Sequence, residues 1–187
     1  MMSSSWTTSE LALADAACFG MRKNGCVLIG GLGLGYSLRR VLEICGRDAN
    51  VVQAELIEDV VTWNRESLRQ LNGNLLEDPR VEVFVGDVYA CIKDAEPGQF
   101  DAILLDVDNG PTSLVEPSNM RLYTERGFEA IRRSLREEGK VAFWSADPEP
   151  KFKKQLRSAG FQVTELEVKA HERAKRAQHR IYVGENW

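Results

Sequence analysis

A strand that runs into a cluster of glycines constrains this chain more than any other stretch. Four apolar residues, Cys26–Ile29, lead into Gly30–Gly35, where only leucines separate the glycines. A helical pattern from Tyr36 to Cys45 follows at once. Glycines let the backbone turn tightly and bring a ligand against the first turn of the following helix. The order strand, glycine turn, helix therefore predicts the opening of a nucleoside-binding α/β domain.

The acidic residue that closes the next strand strengthens this prediction. Glycine clusters also occur in ordinary turns, so the cluster alone is a weak signal. Glu55 ends the apolar run Val51–Glu55 and lies about 20 positions after the glycines, where nucleotide-binding folds carry an acid that holds the ribose hydroxyls. We therefore expect Glu55 to hold the ribose of a bound nucleoside.

Length and charge limit the kind of protein. The chain has 187 residues, 43% of them hydrophobic, which is enough for a sizeable core. We expect a single domain over residues 1–187, with residues 1–8 frayed. The formal net charge of −4 gives no basis for a nucleic-acid or membrane-surface partner. No apolar run approaches roughly 18 residues and no signal peptide is visible, which predicts a cytoplasmic protein.

The cysteines and histidines do not indicate a metal site. The four cysteines have no CxxC spacing and lie in apolar patterns. We interpret them as reduced core residues rather than as metal ligands or disulfide partners. The two histidines, His171 and His179, lie in one polar stretch. The sequence therefore predicts no bound metal.

Strand and helix patterns alternate along the rest of the chain. Ala102–Leu105 is continuously apolar, which is typical of a parallel strand covered on both faces. The other strands predicted after Glu55 are Val81–Val85, Val141–Trp144, Phe161–Val168 (with a bulge near Thr164) and Arg180–Val183. The predicted helices are Glu10–Phe19, Tyr36–Cys45, Glu58–Leu71, Tyr89–Lys93, Leu122–Leu135 and Pro150–Ser158. This alternation predicts one domain built from βαβ units.

Acidic residues follow three of the predicted strands. Ligands bind beyond the carboxyl ends of the strands in an open parallel sheet, and Glu55, Asp87 and Asp106 lie at such ends. Each acid alone is as typical of a helix cap or a turn as of a ligand-binding site. Together they suit a ligand with ribose hydroxyls, an exocyclic amine and a positive charge, as in S-adenosylmethionine. The pyrophosphate of a dinucleotide would be repelled by them, so an NAD-dependent dehydrogenase is a distant alternative.

An ordered set of motifs resembles the spermidine synthase family over roughly Glu10 to Val183. The motifs are Val27–Gly35, Glu55, Asp78–Val83 with Gly86-Asp87, Ile103–Asp106, Leu122–Glu125 and the strand after Glu138-Gly139. The resemblance implies a doubly wound, mostly parallel, seven-stranded sheet of the Rossmann-like class I methyltransferase type, with an antiparallel last strand. It also implies a transferase of polyamine biosynthesis, which moves an aminopropyl group from decarboxylated S-adenosylmethionine to putrescine.

Site residues also follow from the resemblance, position by position. It implies that Asp106 is the catalytic acid-base residue and that Asp108 and Asn109 bind substrate. The residues it implies for donor binding are Gly31, Gly33, Gly35, Glu55 (ribose), Asp87 (adenine amine) and Val88. The donor would be S-adenosylmethionine or its decarboxylated form, the acceptor a small amine, and the protein possibly a homodimer, as in the family.

Asp106 also has a chemical rationale of its own. An amine nucleophile has a pKa of about 10, so at neutral pH its proton must leave before or during attack. A carboxylate at a buried strand end beside Asp108 is expected to have a raised pKa suited to that transfer. It would also hold the amine in line with the carbon bonded to sulfur. The alternative is that Asp106 only caps the turn before Gly110-Pro111.

Several positions depart from the family pattern. Leu34 stands where the family has an Asp facing the aminopropyl amine, and the loop Val107–Pro111 is shorter. A Tyr-(His or Gln)-Glu triplet is reduced to Thr8–Glu10, and we expect the family's N-terminal β domain to be absent. These departures leave two alternatives open, a methyltransferase that uses S-adenosylmethionine itself and a nucleoside-binding module without turnover. The cationic stretch Lys169–Arg180 is predicted to arch near the pocket mouth. Its cations would there attract an anionic group on the acceptor or balance Asp106 and Asp108.

Overall fold

A seven-stranded mixed sheet forms the centre of the computed structural model, which describes residues 7–107, 110–111, 116–169 and 177–187. Its strand order is β3-β2-β1-β4-β5-β7-β6. The strands are β1 (Cys26–Gly30), β2 (Asn50–Glu55), β3 (Val81–Val85), β4 (Phe100–Leu105), β5 (Leu135–Ser145), β6 (Gln162–Val168) and β7 (His179–Glu185). Strands β1 to β5 pair in parallel, whereas β7 pairs antiparallel with β5 and β6. The predicted doubly wound α/β sheet with an antiparallel last strand is confirmed.

Helices cover both faces of the sheet. They are α1 (Thr8–Cys18), α2 (Tyr36–Ile44), α3 (Glu58–Arg65), α4 (Arg69–Asn72), α5 (Val88–Asp94), α6 (Glu125–Ser134) and α7 (Pro150–Ser158). One hydrophobic core lies between the sheet and α1, α2 and α3, and a second between the sheet and α5, α6 and α7. Within the described part of the chain, every helix is too short or too polar to span a bilayer.

The alternation of β4 decides where the residue after it lies. All six residues of β4 are buried, because both faces of this central strand are covered. Successive side chains point to opposite faces, and Leu104 packs into the core under α1 while Leu105 packs into the other core. Asp106 follows, and the same alternation places it on the α1 side at the carboxyl end of the strand.

A buried carboxylate fastens the opposite edge of the sheet. Asp101, at the start of β4, accepts hydrogen bonds from Arg22 Nε at 2.8 Å, Arg136 Nη1 at 3.1 Å and the backbone N–H of Cys26 at 2.8 Å. These donors precede β1, belong to β5 and open β1, respectively. Asp101 thereby joins three neighbouring strands at the edge remote from their carboxyl ends.

Two predicted helices were wrong in their extent. The helix predicted over Glu58–Leu71 breaks after Arg65, where Glu66 leaves the helical region with φ −116° and ψ −88°. In this region Asn64 and Asn72 are buried, whereas Leu71, predicted to face inward, is exposed. The two buried amides donate hydrogen bonds to the glycine turn. The helix predicted over Leu122–Leu135 is instead a 3₁₀ segment, Pro117–Tyr123, followed by α6, and the Thr124 side chain accepts the N–H of Gly127.

Smaller corrections concern three other places. Thr8, predicted to be frayed, begins α1, and residues 1–6 lie outside the described part of the chain. Phe19 is 77% exposed rather than on the inner face of the first helix. The bulge expected near Thr164 is absent, since β6 pairs with β7 in unbroken register from Gln162 to Val168. Within the described part of the chain, no strand pairs with the other edge of β6.

Candidate functional site

The glycine turn is fixed between the two strands that flank β1. The N–H of Gly31 donates to Ala54 O at 2.9 Å, and the N–H of Asp106 donates to Gly30 O at 3.0 Å. Gly31 has φ +87°, and a Cβ at this position would lie 2.3 Å from Asp106 O. Only glycine therefore fits here, and the turn is brought against the backbone of Asp106.

Glu55 links the turn to the end of β2. Its side chain is almost buried, with 9% of its surface exposed. One carboxylate oxygen accepts the N–H of Leu32 at 2.8 Å, and the other accepts the N–H of Ile57 at 3.0 Å. An ionised carboxylate has about four acceptor positions, so Glu55 can hold the turn and still accept from ligand hydroxyls.

Two buried asparagines support the turn from α3 and α4, and the sequence analysis missed both. Asn64 Nδ2 donates to Gly33 O at 2.9 Å, and Asn72 Nδ2 donates to Leu34 O. Arg39 Nη2 in turn donates to Asn72 Oδ1 at 3.0 Å. The sequence did carry one signal, since Asn64 falls three residues after Val61 on the inward face of a predicted amphipathic helix.

Asp87 caps α5 at the end of β3 and is joined by an arginine that the sequence analysis also missed. Asp87 Oδ1 accepts the N–H of Tyr89 at 2.8 Å, and Oδ2 pairs with Arg121 Nη2. The Arg121 guanidinium lies 5.1 Å from the centre of the Tyr89 ring. Val88 is buried, and its side chain lies under Gly30, where a Cβ would be 2.9 Å from Val88 Cγ2.

Asp106 is a weaker acid than an ordinary aspartate. Burial, together with a smaller contribution from the negative charge of Glu10, raises its pKa to about 7. Glu10 lies in the first turn of α1 and accepts a hydrogen bond from Ser9 Oγ at 2.8 Å. Both the protonated and the ionised form of this carboxyl group are therefore accessible near neutral pH, which suits a group that exchanges a proton.

The loop after Asp106 returns close to the end of β5. A Cβ on Gly110, which has φ +129°, would lie 2.5 Å from Ser145 Oγ. Ser145 is fully buried, and its hydroxyl donates to Asp147 O at 2.8 Å. Asp108 and Asn109, which the sequence analysis named as substrate-binding residues, lie outside the described residues.

The arrangement brings the predicted donor-binding residues to one edge of the sheet. The glycine turn contacts both Glu55 and Asp106 through hydrogen bonds. Asp87 follows β3, which lies beside β2 in the sheet. Among residues 7–107, 110–111, 116–169 and 177–187, no group of three or more His, Cys, Asp or Glu side chains is placed to hold a metal ion.

Comparisons with known proteins give the family context. The spermine/spermidine synthase domain family matches residues 10–161. Polyamine aminopropyltransferase 1 of Streptomyces coelicolor is 30% identical over 164 residues, which is 84% of this chain and 30% of that protein. The chain therefore spans about a third of the length of this curated relative.

Solved structures agree on the fold. A spermidine synthase in complex with the transition-state analogue AdoDATO has a TM-score of 0.73 and 20% identity, over 97% of this chain and 59% of that one. Human methyltransferase-like protein 13 in complex with SAH has a TM-score of 0.68 and 17% identity, over 95% of this chain and 80% of that one. These likenesses show a class I methyltransferase-like fold. Since the family match runs from the first turn of α1 to the residue before β6, the chain belongs to the spermine/spermidine synthase domain family.

Proposed function

We propose that the protein transfers an aminopropyl group from decarboxylated S-adenosylmethionine to an amine. The observation that carries this proposal is Asp106, a carboxyl group with a pKa of about 7 whose backbone touches the glycine turn. Membership of the family supports the reaction class. The chain covers only part of the length of its relatives, so the activity needs a direct assay of this chain.

The donor would lie along the carboxyl ends of β1, β2 and β3. Glu55 would accept from the ribose hydroxyls with the lone pairs that Leu32 and Ile57 leave free. Asp87 would accept from the adenine amine in the same way, beside its bonds to Tyr89 and Arg121. The remaining contacts proposed for the donor come from Gly31, Gly33, Gly35 and Val88.

The chemical step would use Asp106 as the base. The acceptor nitrogen attacks the carbon bonded to the sulfonium sulfur, the C–N bond forms, and the C–S bond breaks with its electrons on sulfur. The products are the aminopropylated amine and neutral methylthioadenosine, and the nitrogen's proton passes to Asp106. Asp108 and Asn109, outside the described residues, are proposed from the family resemblance to bind the acceptor.

Asp106→Asn tests this role. The amide has a similar shape but cannot take the proton, so methylthioadenosine release should fall by about 10²-fold or more, while donor affinity stays the same. Asp94→Asn, an exposed change at the end of α5, is the matched control. Parental turnover in Asp106→Asn would leave Asp106 as a turn residue and remove the proposal.

A methyltransferase is the second candidate, favoured by Leu34. This leucine provides no charge or hydrogen bond to the aminopropyl ammonium, and loss of such a charge-assisted bond costs about 1.5–3 kcal/mol, or roughly 10- to 150-fold in affinity. Titration with both donors separates the candidates. We expect the protein to prefer decarboxylated S-adenosylmethionine over S-adenosylmethionine by less than about a hundredfold. Leu34→Asp should increase this preference. Exclusive use of S-adenosylmethionine would favour the methyltransferase.

The remaining expectations on the whole protein stay predictions. These are a cytoplasmic location, a possible homodimer and the absence of nucleic-acid partners. Size-exclusion chromatography with light scattering tests the homodimer.

A further inference from the structure

A row of three side chains crosses the carboxyl edge of the sheet beside the donor site. Leu105 of β4 pairs with Phe143 of β5, so Asp106 and Trp144 follow on adjacent strands. Trp144 pairs with Ile181 of β7 and packs into the core under α1. Since side chains alternate along a strand, His179 shares the face of Ile181. Asp106, Trp144 and His179 therefore lie side by side on the α1 face.

Trp144 and His179 form a pair with unused hydrogen-bonding atoms. Their ring centroids are 4.8 Å apart, with 40° between the ring planes. Trp144 Nε1 and His179 Nδ1 are buried and have no hydrogen-bond partner within the described part of the chain. A buried polar atom without a partner costs about 1–3 kcal/mol, so two such atoms in contacting rings indicate a place where a bound group supplies the partners. Both side chains keep some exposed surface, while the two nitrogen atoms themselves are covered.

The chemistry of the indole limits what that group can be. Trp Nε1 is a donor only, whereas an ammonium group has three donors and no acceptor. A diamine that placed its second ammonium here would leave the indole N–H unpaired and would bring two donors together. An oxygen atom satisfies the indole, and it also satisfies His179 Nδ1 when that atom carries the proton.

Acidic groups mark the Asp106 end of the row, where the charge of Glu10 raises the pKa of Asp106 and an amine would be held. Arg180, the neighbour of His179, lies 3.2 Å from Glu167 and 3.5 Å from Glu165, so its charge is compensated. Strands β4 and β7 lie two spacings apart, or about 10 Å, which a short-chain substrate with one polar group at each end can bridge.

We propose that the acceptor is an amino carboxylate, with its amine at Asp106 and its carboxylate on Trp144 Nε1 and His179 Nδ1. This inference rests on the proposed aminopropyl transfer and names its substrate class. The amine attacks the carbon bonded to the donor sulfur, the C–S bond breaks to release methylthioadenosine, and the amine proton passes to Asp106. The carboxylate takes no part in the bond changes and orients the acceptor.

Matched acceptor pairs test the proposal. The pairs are 4-aminobutanoate with 1,4-diaminobutane and 5-aminopentanoate with 1,5-diaminopentane. Binding of each is measured by calorimetry with and without methylthioadenosine, and transfer is measured as methylthioadenosine release from the decarboxylated donor. The amino carboxylate of at least one pair should bind about tenfold more tightly than its diamine and be the better acceptor. Equal or tighter binding of both diamines would overturn the inference.

The outcomes keep this inference separate from the proposed function. Efficient transfer to diamines alone would support aminopropyl transfer and refute the amino carboxylate. Tighter binding of an amino carboxylate without any transfer would support the acceptor site and refute the transfer reaction.

Two substitutions locate the effect on the ring pair. Trp144→Phe keeps a ring and removes the N–H, and His179→Phe removes the ring nitrogens. Each should raise KM for the amino carboxylate about tenfold more than for the diamine, with a smaller change in kcat. Trp63→Phe, an exposed tryptophan of α3, is the control. An equal loss for both acceptors in both ring variants would show a structural role only and would contradict the inference.

Discussion

The raised pKa of Asp106 means that its ionised form lowers the free energy of unfolding. Its pKa in the folded protein is about 7, well above the value of about 4 for an unfolded chain. The folded state therefore binds more protons than the unfolded state between these values, and the free energy of unfolding falls as pH rises from about 4 to 7. The cost is fully present above the folded pKa.

Asp106→Asn should remove this cost. We expect it to raise the melting temperature at pH 8 and to have a much smaller effect near pH 4, where the carboxyl group is neutral. Each kcal/mol recovered corresponds to about 2–4 °C for a chain of this size. Calorimetric melting at both pH values measures the difference, with Asp94→Asn as control. An equal shift at both values would mean that the charge of Asp106 is not the cause.

The negative charge of Glu10 contributes to the raised pKa of Asp106, and it can be removed by a substitution that leaves Asp106 in place. Glu10→Gln deletes one nearby negative charge, so the pKa of Asp106 should fall while burial keeps it above its usual range. The midpoint of the kcat–pH profile for transfer should move to lower pH. A midpoint that stays at about pH 7 would assign the raised pKa to burial alone.

At the scale of the elements, the asparagines of α3 and α4 hold the glycine turn. Asn72→Ala leaves Leu34 O without its side-chain donor and takes the acceptor from Arg39. We expect the free energy of unfolding to fall by about 1–3 kcal/mol and the affinity for methylthioadenosine to weaken, as measured by denaturation and calorimetry. Asn74→Ala, an exposed change two residues away, should do much less. Unchanged nucleoside affinity in Asn72→Ala would show that the turn keeps its shape unaided.

The same elements show what the sequence could predict. The central parallel strands followed from apolar runs such as Ala102–Leu105, because burial on both faces leaves a continuous signal. The antiparallel direction of the last strand followed from the family resemblance. The glycine turn, Glu55, Asp87 and Asp106 followed from their places at strand ends. Asn64 and Asn72 did not, because a polar residue in a helix is usually solvated, and only the tertiary fold brings these amides to the turn. Arg121 was missed for the same reason, since 34 positions separate it from Asp87.

At the scale of the whole molecule, Asp101 fastens the edge of the sheet opposite the candidate site. Asp101→Asn should lower the free energy of unfolding by about 1–3 kcal/mol, because Arg22 and Arg136 lose their buried carboxylate partner. The loss is limited because both arginines are partly exposed to water. Methylthioadenosine affinity should not change, since the two edges are separated by the length of the strands. Urea denaturation and calorimetry test the two statements, and a matching loss of affinity would contradict the second.

The reversed direction of β7 has a consequence for how this protein could diverge from its relatives. Running antiparallel, β7 begins at the candidate site, so its first residue, His179, stands beside Trp144. The family match stops at residue 161, before β6 and β7. The half of the site proposed for the donor lies within the matched residues, whereas His179, in the half proposed for the acceptor, lies beyond them. Substitutions at His179 can therefore change the acceptor without altering the residues proposed to hold the nucleoside.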